Sequence, residues 1–182
     1  MNTVTRRWWM IEVRGIASFA FAVLLLLGPR WDSSKWLAVA FGAYAVVDAA
    51  GTLAFVRAAR GVETNAYVGR AALGLFAGAM ALIQPSVPMV ALFMVVSAWG
   101  LGTGVLEVIF GSRAWTTAPR PVAFMVEGML SLGLGVTALH FPLESPAMLR
   151  GFLAVYAVAN GVVATALGES LHALPAPAPQ AA

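Results

Sequence analysis

Arg14-Gly-Ile-Ala-Ser-Phe-Ala-Phe-Ala-Val-Leu-Leu-Leu-Leu-Gly-Pro29 is the stretch that decides the fold, because the chain uses its pattern three times. A charged residue is followed by small residues at offsets one, four and eight, then by an apolar run that stops at a proline fifteen positions on. The second copy runs from Arg70 through Ala71, Gly74 and Gly78 to Pro85. The third runs from Glu127 through Gly128, Ser131 and Gly135 to Pro142. The period is 56 residues and then 57. A fixed period of this kind is the mark of a repeated supersecondary unit.

A second apolar segment follows each proline and also recurs. It carries an aromatic residue and, four positions later, a polar one: Tyr44 and Asp48, Trp99 and Thr103, Tyr156 and Asn160. Thr52 and Glu107 extend the first two stripes by another four positions, and Ala164 replaces the polar residue in the third. The repeat unit is therefore a pair of apolar segments.

Composition places these segments in a membrane. The 182 residues are 60% hydrophobic and only 10% charged, against about 25% charged in soluble domains. Mean hydropathy is +0.84. A span needs about 20 apolar residues to cross roughly 30 Å of hydrocarbon, and the sequence supplies six such segments. They are expected at 9–27, 36–56, 67–83, from the turn at Pro88 to 110, at 122–141 and at 147–167. Helix is required because backbone groups in hydrocarbon must be paired within the segment or in a closed barrel. Barrel strands would alternate over about 10 residues, and these segments are continuously apolar. The expected fold is all-α, a polytopic membrane protein of six transmembrane helices arranged as three parallel helical-hairpin repeats. The boundaries are a flank at 1–8, hairpins at 9–65, 66–120 and 121–168, and a disordered Pro/Ala-rich tail at 169–182.

Arginine and lysine set the orientation. Arg6, Arg7, Arg57, Arg60, Arg113 and Arg120 fall on one side, and Arg30, Lys35 and Arg150 on the other. The positive-inside rule then puts both termini in the cytoplasm. The Arg6-Arg7-Trp8-Trp9 start reads as a cytoplasmic flank with interfacial tryptophans rather than an export signal. Two spans per unit make the repeats parallel, with any pseudosymmetry axis along the membrane normal.

Several residues stand out against this background. Gly15, Ser18, Gly74, Gly78, Gly128, Ser131 and Gly135 form small-residue faces of the kind that let helices approach closely in lipid. Arg14, Asp48, Arg70, Glu107 and Glu127 form a candidate intramembrane polar cluster, all in the cytoplasmic half. A charge at the bilayer centre costs about 2.5–3.5 kcal/mol even on the lenient scale. Such residues either pair between helices, as Arg14 with Asp48 or Arg70 with Glu107, or form a proton-responsive site. Pairing is the preferred reading. Glu127 is the odd member, since it replaces arginine at its repeat position. His140 is a candidate pH sensor, although a lone histidine near an interface is more often a snorkelling polar residue.

No enzyme is expected. There is no cysteine, no phosphate-binding loop with its lysine, and no spacing that would make His140 and His172 a metal pair. The Gly100 to Gly104 run lies within a span with no preceding strand, so it is not a dinucleotide fingerprint. No cofactor, metal, nucleic acid or small-molecule ligand is expected. The bilayer is the expected partner, and a homo-oligomer is left open.

The stretches Phe41-Gly-Ala-Tyr-Ala-Val-Val-Asp48, Ala98-Trp-Gly-Leu-Gly-Thr-Gly-Val-Leu-Glu107 and Val155-Tyr-Ala-Val-Ala-Asn-Gly161, with the Trp8-Trp9 start and Arg14-Gly15, resemble the HdeD-type acid-resistance membrane proteins. The resemblance covers about residues 8–167. It implies a six-span protein of the bacterial inner (cytoplasmic) membrane associated with surviving acid stress, and it supplies no catalytic residues. The expected function is a non-enzymatic acid- or stress-resistance membrane component. The alternatives are a small proton- or solute-conducting transporter or channel, and a membrane scaffold whose glycine faces join protomers.

Overall fold

The computed structural model describes residues 8–28, 33–58, 64–113, 115, 121–140 and 145–173. They form six α-helices, α1 Trp8–Leu27, α2 Ser34–Ala58, α3 Thr64–Ile83, α4 Met89–Arg113, α5 Pro121–His140 and α6 Pro146–His172. There is no strand among the described residues. All six helices are long and apolar enough to cross a membrane. The odd helices have 20 residues each, which at 1.5 Å per residue is about 30 Å, the thickness of the hydrocarbon.

The ends have local causes. Pro85 cannot donate a backbone hydrogen bond, so α3 finishes just before it. Gln84 N–H still reaches the Met80 carbonyl at 3.3 Å, and Val87 N–H closes the turn on the Gln84 carbonyl at 3.3 Å. Prolines also open α5 and α6, at Pro121 and Pro146, where the missing N–H has no helical partner to lose.

The even helices outrun the apolar pattern. α2 starts at Ser34 and ends at Ala58, α4 continues to Arg113, and α6 continues to His172. Residues 169–172 therefore belong to α6 and not to the expected tail. Leu171 explains the extension, because it is buried with Leu167 against Ile11 and Phe124 and keeps the last turn docked. Hydropathy marks where lipid ends, and a helix held by packing need not end there. The rest of the tail, the flank with Arg6 and Arg7, the prolines Pro29 and Pro142, and the loop charges Arg30, Arg60 and Arg120 lie outside the described residues.

Each helix packs on its neighbours in the chain, and α6 closes back on α1. The most extensive contacts are α2 with α3, α4 with α5, and α6 with α1. The sequence hairpins α1–α2, α3–α4 and α5–α6 touch less. The small residues explain the difference. A methyl group on Gly104 would lie 2.7 Å from the Gly128 carbonyl oxygen. One on Gly78 would lie 2.9 Å from the Gly42 carbonyl oxygen, and one on Gly15 would lie 3.2 Å from that of Gly161. Each odd helix thus lays its small face on the even helix of another repeat. The glycine faces are used within the chain and are not free to join protomers.

The bundle buries its charged residues and turns large apolar side chains outward. Leu27, Ile83, Val155 and Phe76 are exposed, whereas Arg14, Arg70, Asp48, Glu107 and Glu127 are buried. Charged residues are almost never fully buried in water-soluble proteins unless paired, and exposed apolar side chains in this number fit a lipid-facing surface. The chain is a multi-pass membrane protein.

Candidate functional site

The polar residues occupy one layer of the bundle with an apolar layer on each side. At one end Ile11, Phe55, Tyr67, Phe124 and Leu167 pack together from the starts of odd helices and the ends of even ones. Tyr67 sits edge-on to Phe110, with ring centroids 4.4 Å apart. Trp8 stacks on His172 at 4.2 Å at this same end. Towards the other end a larger core fills the axis, and Leu37, Phe41, Leu92, Val96 and Leu149 are fully buried in it.

Between the two layers lie the charges. Arg14, Arg70 and Glu127 are each six residues from the start of their helices, about 9 Å along the axis. Equal helix starts put all three at one level. Arg70 uses the planar fork of its guanidinium to hold two helices at once. Nη2 is 2.8 Å from Asp48 Oδ2 on α2, and Nε is 2.6 Å from Glu107 Oε1 on α4. Nη1 also donates to Thr52 Oγ1, whose own hydroxyl donates to the Asp48 carbonyl. Arg14 donates from Nε to Asp48 Oδ1 at 3.1 Å. Its two outer nitrogens approach Glu107 at 3.9 Å and Glu127 at 3.8 Å.

Hydroxyls extend the network. Ser131 Oγ donates to Glu107 Oε2 at 3.2 Å and lies 3.2 Å from the Tyr156 hydroxyl. Ser18 Oγ lies 3.1 Å from the Tyr44 hydroxyl and accepts from Asn160 Nδ2 at 3.0 Å. The polar layer therefore takes side chains from all six helices. Ser18 and Ser131 belong to the small-residue faces and also act as hydrogen-bonding groups. Their offset of four from Arg14 and Glu127, matched to Tyr44 and Tyr156 on the partner segment, was the available signal.

The second repeat lacks that link. Its counterpart of Ser18 and Ser131 is Gly74, and its counterpart of the tyrosines is Trp99. The buried Trp99 Nε1 has no hydrogen-bond partner. Trp99 is held by rings instead, edge-on to Phe41 at 5.4 Å and to Tyr156 at 5.7 Å. Thr103 turns its hydroxyl onto its own helix, 2.7 Å from the Trp99 carbonyl.

Gly15, Gly74, Gly78, Gly128 and Gly135 lie in the close helix contacts. His140 is exposed in the last turn of α5. It lies thirteen residues from Glu127, or about 20 Å along the helix, so it is not part of the layer. Among the described residues no group of three histidines or acids is disposed to hold a metal ion.

Residues 69–126 match DUF308, a short repeat of unknown function. DUF308 takes in HdeD-like membrane proteins. The matched window opens one residue before Arg70 and closes one residue before Glu127. It is thus about one period of the chain, comprising α3 from Gly69 on, α4 and the start of α5. No curated protein and no solved structure matches the chain.

Proposed function

We propose that this chain is a non-enzymatic, HdeD-type component of the bacterial inner membrane that supports survival under acid or related stress, built from three hairpin repeats with both termini in the cytoplasm. The observation that carries the reading is the enclosure of the charged layer. A conduit needs a continuous polar path, and here buried leucines, phenylalanine and valine fill the axis on one side of the charges. Charges enclosed in this way act on the helices around them. Each arginine or acid would be costly to leave alone in lipid, so the network favours the assembled six-helix bundle over any partly opened one. A bundle that stays shut when proton concentration rises outside is suited to a stressed membrane.

The match of one period to DUF308 and the HdeD-like motifs support the family assignment and, through it, the stress role. The conduit reading is weakened by the filled axis. The scaffold reading loses its proposed surface, because the glycine faces are spent inside the chain.

The test pairs two measurements. A bacterial host lacking the protein should survive acid challenge less well than the same host supplied with it. Liposomes containing the purified chain should leak protons no faster than empty ones as external pH is lowered. Equal survival would remove the stress role, and a fast leak abolished by Glu107→Gln would make the chain a conduit.

A further inference from the structure

The charges at the centre do not balance. Arg14 and Arg70 bring two positive charges, and Asp48, Glu107 and Glu127 bring three negative ones, all buried. A surplus charge in an apolar interior is costly, and such a group is neutralised or finds a counter-charge.

Geometry says which acid is in surplus. Asp48 receives both arginines, at 3.1 and 2.8 Å. Glu107 receives Arg70 at 2.6 Å and the Ser131 hydroxyl at 3.2 Å. Glu127 has only Arg14 Nη1, at 3.8 Å, which is beyond hydrogen-bond length. Its Oε1 is buried with no partner at all. The repeat explains the shortage. Arg70 lies between acids on both neighbouring helices, but Glu127 has the like-charged Glu107 on α4, and α6 offers Ala164 where α2 offers Thr52.

We propose that the centre of the bundle is a binding site for one proton, carried by the Glu127 carboxyl and exchanged from the Trp8 end. The ionisable groups facing it are Arg14 on α1, Asp48 on α2, Arg70 and Tyr67 on α3, and Glu107 on α4. α6 contributes Tyr156, bonded to Ser131 one turn further along α5. A proton fits better than a metal cation. A hard cation needs six or more oxygen ligands, and nothing is bonded to Glu127 Oε1. The exchange side follows from space. A cavity with room for about one water molecule touches Arg14, Thr52, Tyr67 and Phe124 on the Trp8 side of the charges and ends at Arg14, whose Nη1 lies 3.8 Å from Glu127. The opposite side is filled by the larger apolar core.

The inference does not depend on the stress role, since survival can fail while the proton is present, and the reverse. Infrared spectroscopy of the purified full chain in liposomes at neutral pH tests it through the carbonyl stretch of a protonated carboxyl group. The expected result is one buried-carboxyl band in wild type that is lost in Glu127→Gln. It should fade when pH is raised on the Trp8 side and persist when pH is raised only on the other. The wild-type spectrum is decisive whether or not the variant folds, because its lack of a carboxyl band overturns the proposal. So does a band that survives Glu127→Gln, one that fades only from the opposite side, or one that appears only when sodium and potassium are replaced by choline.

Discussion

Arg70 and Glu127 occupy the same position in successive repeats, and the bundle treats them differently. Both begin the pattern that stops at a proline fifteen positions on, both are six residues into a helix, and both are almost fully buried. Arg70 is bonded to Asp48, Glu107 and Thr52. Glu127 has one long contact and an oxygen with no partner. Burial is therefore no measure of what a charge contributes. The supply of partners from the two flanking helices decides it: α2 and α4 both offer Arg70 acids, whereas α4 offers Glu127 the like-charged Glu107 and α6 offers it Ala164.

The largest effect should come from breaking the well-supplied side. Arg70→Met leaves Asp48, Glu107 and Glu127 with Arg14 alone, and removal of one partner from a buried pair costs about 3–5 kcal/mol. Unfolding in detergent, followed by circular dichroism, should show a loss of that size. A loss under about 1 kcal/mol would mean that the pairs add nothing beyond what exposed pairs give.

A smaller effect separates two glycines on α5 that the sequence presents alike. A methyl on Gly135 would meet the Leu101 nitrogen at 2.6 Å and the Ser97 carbonyl at 3.0 Å. Gly135→Ala must push α4 and α5 apart, at about 1–3 kcal/mol. Gly133 has nothing within 4 Å, so Gly133→Ala should stabilise by roughly 0.5–1 kcal/mol through helix propensity. The same unfolding assay reads both signs, and equal effects would contradict the close α4–α5 contact.

Much of this was legible in the sequence. Six apolar runs, a fixed period and a rule about backbone pairing in lipid are enough to reach six helices. The charged residues were visible because they are few. Three things were not. A small-residue face announces a close neighbour without naming it, so the cross-repeat contacts could not be chosen over the hairpins. Hydropathy ends at Leu167, while the packing of Leu171 carries α6 on to His172. Ser18 and Ser131 fit a small-residue face by size, and only their distances from Tyr44 and Tyr156 reveal the hydroxyls as part of the polar layer.

The most direct test compares the two glutamates under identical conditions. Thermal unfolding of wild type, Glu107→Gln and Glu127→Gln at neutral pH would be followed in one detergent. Glu107→Gln removes the charge that Arg70 holds at 2.6 Å and should cost about 3 kcal/mol or more. Glu127→Gln mimics a carboxyl that already carries its proton and should unfold within about 1 kcal/mol of wild type. Similar large losses in both would contradict the account, because Glu127 would then be a paired anion like its neighbour.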